Sequence, residues 1–266
     1  YTGKIRRIRE KECSDPEKQK NSGNGHTFFN EFSKTGDTMA VLKGRVLINE
    51  SYVLKNRFAG YQEENGEATM TAEEFYGDRF EILETARTDM LELLKKFPDD
   101  QRSGFHAVQY ICSRIKSPES MMEKLKRKAL PETLESALCE VHDAVGVRVI
   151  CSFADDVFRV EKWLKSQENY ELVKEKDYIS YPKPNGYRGI HLILRGMTGK
   201  TAGTYVEIQL RTIAMDFWAS LEHQLKYKKE IGHAAMMSGE LKQCADDIAS
   251  VDLSMQTIRD IIETEE

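Results

Sequence analysis

Between Arg114 and Lys128, six cationic side chains (Arg114, Lys116, Lys124, Lys126, Arg127 and Lys128) meet only two carboxylates, Glu119 and Glu123. Arg114 and Lys116 fall two apart at the end of an apolar run, so a strand would put them on one face. Lys124 and Arg127 fall three apart in a stretch with helical spacing, so a helix would put them on one face as well. Guanidinium forks and ammonium charges on two adjoining faces could clamp a polyphosphate. A solvated helix face accounts for the lysines equally well. It accounts poorly for Arg114, which ends an apolar strand.

Three further groups carry chemistry. Asp143 stands at the mouth of the β-branched segment 145–153 and Arg148 lies inside it, where either charge is costly without a partner. Asp143 with Glu207 could hold one Mg2+, an ion satisfied by one or two carboxylates plus substrate phosphates. The pair His142-Asp143 could also belong to an HD-type metal phosphohydrolase, but that needs two further His or Asp ligands at helical positions, and no other segment offers them. Tyr187 and His191 share a strand face by parity after the Pro/Gly-rich loop 181–186, and the Tyr187 ring could stack a base or could simply be a core or rim aromatic. Finally, residues 205–211 alternate strictly. Val206, Ile208 and Leu210 point one way, while Tyr205, Glu207, Gln209 and Arg211 line the other face at intervals of about 7 Å. Alternation alone fits the solvated face of an edge strand.

The elements that must position these groups follow from periodicity. Phe80, Leu83, Ala86, Met90, Leu94 and Phe97 recur at threes and fours, predicting an amphipathic helix stopped by Pro98. Residues 105–116 predict a strand, and Ser117-Pro118-Glu119-Ser120 predicts a capped helix start with Pro at the first helical position. A short helix opened by Pro131 is expected over 130–141, a core strand over 145–153, a helix over 157–164, and strands over 170–177, 187–194 and 205–211. Ile213, Phe217, Leu221 and Leu225 form a helical stripe after the last strand. That order predicts an α+β (mixed α/β) fold, with a five-stranded mixed sheet flanked by helices. Near the end, Leu241, Cys244, Ile248, Val251, Met255, Ile258 and Ile262 are spaced as a heptad seam, which suits self-association or packing on the same domain about equally.

Composition sets limits. The net charge of -5 gives no global field for nucleic acid, so an anionic ligand must be held by a local cluster. No apolar run approaches the roughly 20 residues of a membrane span, and residues 1–20 lack the apolar core of a secretory signal. Five scattered cysteines without a C-x-x-C pair argue against zinc and fit reduced thiols in a cytoplasmic protein. Residues 1–74 are expected to be a largely disordered tail and linker, residues 75–228 the folded domain, and residues 229–266 a helical segment.

Taken together, these residues resemble the synthetase domain of the RelA/SpoT family, in its small, single-domain alarmone synthetase branch. The resemblance rests on Ser113-Arg114-Ile115-Lys116-Ser117-Pro118-Glu119-Ser120 with Lys124, and on His142-Asp143-Ala144-Val145-Gly146-Val147-Arg148. It is completed by Gly186-Tyr187-Arg188-Gly189-Ile190-His191, Val206-Glu207-Ile208-Gln209-Leu210-Arg211 and the following segment 214–223. It implies a nucleotidyltransferase-like domain that moves pyrophosphate from ATP to the ribose 3′-hydroxyl of GDP or GTP, giving ppGpp or pppGpp and AMP. It further implies that Arg114 and Arg148 sandwich adenine, that Lys116, Lys124 and Arg127 hold the ATP phosphates, and that Asp143 and Glu207 bind Mg2+, with Glu207 also drawing the 3′ proton. Tyr187 would stack on guanine, Lys183 and His191 would lie near the acceptor phosphates, and Gln209 and Arg211 would support the acceptor side. A homo-oligomer, a tetramer by resemblance, is the expected assembly. Gly189 departs from the family loop, which commonly has serine there. A relative that modifies another acceptor, such as the tRNA 3′ end, or a non-catalytic nucleotide sensor, are the competing readings.

Overall fold

A computed structural model describes residues 70–99, 104–227 and 234–265. The expected tail therefore lies outside the described residues up to residue 69, as does the unplaced apolar segment 41–54. The first described helix lies just ahead of residue 75, where the sequence reading starts the folded domain. Thr71 caps helix α1 (Ala72–Tyr76) through a reciprocal pair: its hydroxyl accepts from Glu74 N, and Glu74 Oε2 accepts from Thr71 N. A short turn, Gly77–Arg79, leads into α2 (Phe80–Leu94).

The remaining elements are β1 (Val108–Ile115), α3 (Pro118–Arg127), α4 (Leu134–Cys139), β2 (Val145–Cys151), α5 (Ala154–Lys165), β3 (Tyr170–Asp177), β4 (Ile190–Gly196), β5 (Tyr205–Thr212), α6 (Ile213–Tyr227) and α7 (Ala234–Glu265). The five strands form one mixed sheet in the order β1-β2-β5-β4-β3. Only β2 and β5 pair in parallel; the other three pairings are antiparallel. Helix α5 carries the chain from β2 to the far edge, and β4 and β5 return to the centre.

Alternation decides which face is the core. Val145, Val147 and Val149 of β2 and Val206, Ile208 and Leu210 of β5 are buried with Leu83, Met90 and Leu94 of α2 and Val157, Val160 and Leu164 of α5. Each fully buried side chain of this size contributes roughly 1.5–3 kcal/mol. The opposite face is left to the polar residues. A smaller cluster there joins Tyr187, Trp218 of α6 and Ala245 of α7, with Leu241 and Ile248 packed against it.

Several expectations are corrected. The helix expected from Pro131 starts at Leu134, because the Thr133 side chain accepts from Ser136 N and supplies the cap. The strand expected from 187 begins at Ile190, so Tyr187 precedes it. The α6 stripe Ile213, Phe217, Leu221 and Leu225 points to solvent, while Met215, Asp216 and Trp218 turn inward. The heptad seam divides: Leu241 and Ile248 face the domain, whereas Val251, Met255, Ile258 and Ile262 are exposed. Among the described residues no helix is long and apolar enough to cross a membrane.

Helix α7 is fastened across the polar side by specific contacts. Arg188 donates to Ala245 O at 3.2 Å and to Asp246 Oδ1 at 3.0 Å, and Arg259 grips both oxygens of Asp155 at the start of α5. Gly186 makes the closest approach: a Cβ there would lie 2.6 Å from Ala245 Cβ, and its φ of +90° is one that other residues rarely adopt. Gly186→Ala therefore costs about 1–3 kcal/mol and lowers the thermal unfolding midpoint. An unchanged midpoint would mean that α7 does not seat on this loop.

Candidate active site

Because β2 and β5 run parallel, Asp143, just ahead of β2, and Glu207, early in β5, fall at the same end of the sheet. β1 ends there too, since it runs antiparallel to β2. Across the sheet, Arg114, Gly146 and Glu207 are aligned in register, and so are Cys112, Arg148, Gln209 and His191. Gly146 carries no side chain, and a Cβ there would meet Arg114 Cγ at 3.9 Å. Arg114 lies within electrostatic reach of both Asp143 and Glu207.

The cationic strand end and the helix α3 meet at Asp143. Ser117 caps α3 with Pro118 at its first position, so Lys124 is aimed back toward the sheet. The buried Asp143 accepts from Lys116 Nζ at 3.0 Å and also from Lys124 Nζ, both at Oδ2. Its other oxygen, Oδ1, is buried without a hydrogen-bond partner. Burial holds the Lys116 ammonium below its ordinary pKa, while Asp143 pulls it back up. The fully buried Tyr76 of α1 donates its hydroxyl to Lys116 O at 2.9 Å, pinning the backbone under this lysine.

On the other side, the loop between β3 and β4 gathers aromatic rings. Lys183 Nζ sits 4.5 Å from the Tyr178 ring centre and 4.6 Å from that of Tyr187. Tyr178 packs edge-on against both Tyr187 and His191. Asn185 donates to Glu222 Oε1 of α6 at 2.9 Å. The turn holds because Gly186 N donates to Lys183 O and Lys183 N to Tyr187 O.

A hydrogen-bonded chain runs from this loop across the strands to Glu207. Arg211 donates through Nε and Nη2 to the Tyr187 hydroxyl, at 3.2 and 2.9 Å. That hydroxyl lies 2.5 Å from His191 Nε2. With its oxygen accepting from arginine, the hydroxyl gives its own proton to Nε2, so the ring proton of His191 belongs on Nδ1. Nδ1 faces Glu207 Oε1 at 3.5 Å, and Gln209 Nε2 donates to Glu207 Oε2 at 2.9 Å. Burial keeps His191 below its usual pKa and hence neutral at physiological pH. Burial alone would raise the Glu207 carboxyl, but His191 and Gln209 outweigh it and hold the pKa at about 2.

The sequence-derived residues are thus placed unequally. Lys116, Lys124 and Asp143 form one cluster; Glu207, Gln209, Arg211, Tyr187 and His191 form another; Arg114 and Arg148 stand on the strands between and beside them. Arg127 sits exposed at the end of α3, outside the ion-pair cluster. Lys183 rests on aromatic rings. Tyr76, Tyr178, Asn185 and Asp216 were missed. Asp216 is fully buried and accepts from Arg148, Arg211 and Tyr110; the sequence reading has it only as a member of the motif segment 214–223, with no role. Among the described residues no group of three or more His, Cys, Asp or Glu is placed to hold a metal. Asp143 and Glu207 remain a two-carboxylate set.

A mixed sheet whose polar face gathers Arg114, Lys116, Lys124, Arg148 and Arg211 around the carboxylates of Asp143, Glu207 and Asp216, beside an aromatic-lined loop, defines an α/β domain suited to polyphosphorylated, ring-bearing ligands. Comparisons sharpen this class. Residues 113–232 match the region found in RelA and SpoT proteins. GTP pyrophosphokinase YwaC of Bacillus subtilis is 43% identical over 159 residues, 59% of this chain and 76% of that protein. The crystal structure of small alarmone synthetase 2 from Bacillus subtilis overlays with a TM-score of 0.59 at 37% identity, covering 69% of this chain and 98% of the other. That of small alarmone synthetase 1 from the same organism, bound to its product pppGpp, gives a TM-score of 0.60 at 28% identity, covering 68% and 95%. The chain belongs to the RelA/SpoT family.

The lowered Glu207 pKa has a signed consequence. A carboxyl whose folded pKa is depressed stabilises the fold fully above its ordinary value of 4.5 and loses that contribution as pH falls toward about 2. Thermal midpoints measured across that window should fall more steeply for the parent than for Glu207→Gln. Parallel curves would disprove the arrangement around Glu207.

Proposed function

We propose that this chain is a GTP diphosphokinase, transferring pyrophosphate from ATP to the ribose 3′-hydroxyl of GDP or GTP and releasing AMP. The observation that carries this reading is Asp143: one oxygen takes two ammonium groups, and the other is buried and unpaired. A site holding more cationic charge than its own carboxylates consume is prepared for phosphates. In the reaction the 3′-oxygen bonds to the β-phosphorus, the bond from that phosphorus to the α,β-bridging oxygen breaks, and AMP leaves with the electron pair.

Each residue has a part in this reading. Lys116 and Lys124 hold the ATP phosphates, with Arg127 at the margin, and Arg114 and Arg148 flank the adenine. Tyr187 offers its ring to guanine, Lys183 and His191 serve the acceptor phosphates, and Gln209 and Arg211 hold Glu207 and Tyr187 in place. Glu207, ionised throughout the physiological range, takes the 3′ proton. Transfer of this kind depends chiefly on positioning and on neutralising charge. The orphan oxygen of Asp143 and the ionised Glu207 fit Mg2+, whose coordination is completed by substrate phosphates and water. When bound there, Mg2+ would neutralise phosphate charge. The names of the relatives favour alarmone synthesis over modification of tRNA or nucleotide sensing. Cys112, Cys139, Cys151 and Cys244 are free thiols, which supports a cytoplasmic setting.

Labelled ATP offered with GDP, GTP, GMP or tRNA in turn should place label on GDP or GTP; label on tRNA alone, or on nothing, overturns the reading. Glu207→Gln should lose roughly 100-fold or more in rate while remaining folded by circular dichroism.

Self-association belongs to the same proposal. Val251, Met255, Ile258 and Ile262 leave an apolar line on α7, each more than two-fifths exposed. A second copy of this chain would cover it. Light scattering should show the parent as an oligomer and Ile258→Asp as a smaller species; a monomeric parent ends this idea.

A further inference from the structure

Arg148 and Arg211 stand on neighbouring strands, and their guanidinium groups converge on one oxygen. Both donate from Nη1 to Asp216 Oδ1 at 3.2 Å. Oδ2 accepts the Tyr110 hydroxyl at 3.0 Å. Asp216 is fully buried in the first turn of α6, a place where a carboxylate survives only with partners of this kind. The dependence runs both ways. Arg148 is disfavoured as a cation by burial and by the nearby Arg211, and Asp216 opposes both effects.

The carboxylate is held from behind as well. The Thr212 hydroxyl accepts from Met215 N at 3.1 Å and donates to Asp252 Oδ2 of α7 at 2.6 Å. The turn that carries Asp216 is thereby capped and tied to α7. Arg211 in turn carries the Tyr187 hydroxyl and, through Nη2, Gln209 Oε1 at 3.0 Å.

On the functional reading above, Arg148 serves the ATP side and Arg211 the acceptor side. We propose that Asp216 is the positioning residue that holds these two half-sites in register, a proposal that rests on that reading. It acts through the two arginines. Its loss should therefore be felt by both nucleotides, although they bind on different sides.

The test measures the affinities of Asp216→Asn for a non-hydrolysable ATP analogue and for GDP by calorimetry, beside kcat and both KM values. Both affinities should weaken together, each by roughly 10- to 100-fold, the factor expected for losing a charge-assisted hydrogen bond. Tyr110→Phe is the control. It removes the third bond to Asp216 but neither arginine contact, so it should lower the thermal midpoint and leave both affinities in place. Weakening of one nucleotide alone, of neither, or of both equally in Tyr110→Phe, overturns the proposal. Should Asp216→Asn fail to fold, Arg211→Lys decides the matter: it keeps the charge but not the fork, and the ATP analogue must then bind more weakly. Unchanged ATP affinity refutes the coupling. A parent that binds both nucleotides but transfers no pyrophosphate would sink the functional reading, while the paired affinities still decide the role of Asp216.

Discussion

The buried carboxylate of Asp216 and the half-buried one of Glu207 anchor the ends of one hydrogen-bonded chain, and the polar face of the sheet depends on it. Asp216 holds Arg211, Arg211 holds the Tyr187 hydroxyl, that hydroxyl meets His191, and His191 faces Glu207. Each member orients the next. An isolated buried guanidinium or carboxylate would be costly, and a half-satisfied network would be worse than an apolar one. Only the apolar core on the far side of the sheet can hold the strands in the register that keeps every member satisfied. The valines of β2 and the alternating apolar set of β5 therefore do more than stabilise. They set the spacing of the charges above them.

Local periodicity made the strands legible, and with them most of the polar face. Residues 205–211 alternate without a break, so the facing of Glu207, Gln209 and Arg211 could be read directly, and β5 indeed turns Val206, Ile208 and Leu210 into the core. Periodicity does not name partners. Tyr187 and His191 were paired by strand parity, yet Tyr187 lies ahead of β4 and reaches His191 because the tight turn at Gly186 folds it back. In α6 the apolar stripe pointed to the wrong face. Asp216 is buried because two arginines from different strands arrive there, and no local pattern contains that fact. α7 failed in the same way, since its inward residues include Ala245, Asp252 and Arg259, a mixture of small and charged side chains that a hydrophobic seam cannot reveal.

Helix α7 ties together elements that are far apart in sequence. It touches the aromatic loop at Arg188, the end of β5 at Thr212 and the start of α5 at Asp155. Polar contacts of this kind add orientation more than net stability, because much of their energy replaces hydration. A sheet face with charged groups at its surface gains definition from such a strap, since each contact excludes a competing arrangement of the loop beneath it.

The ammonium of Lys183 rests against the rings of Tyr178 and Tyr187. That aromatic surface is thus already in use. Any planar ligand that stacks on Tyr187 takes part in an exchange, giving up a cation–π contact as it gains a stacking one, and its apparent affinity is the difference between the two. The displaced charge does not vanish. It stays tethered within a side chain's length of the ring, free to meet whatever anionic group the ligand brings with it, so recognition of a flat base and recognition of its negative tail become parts of a single event.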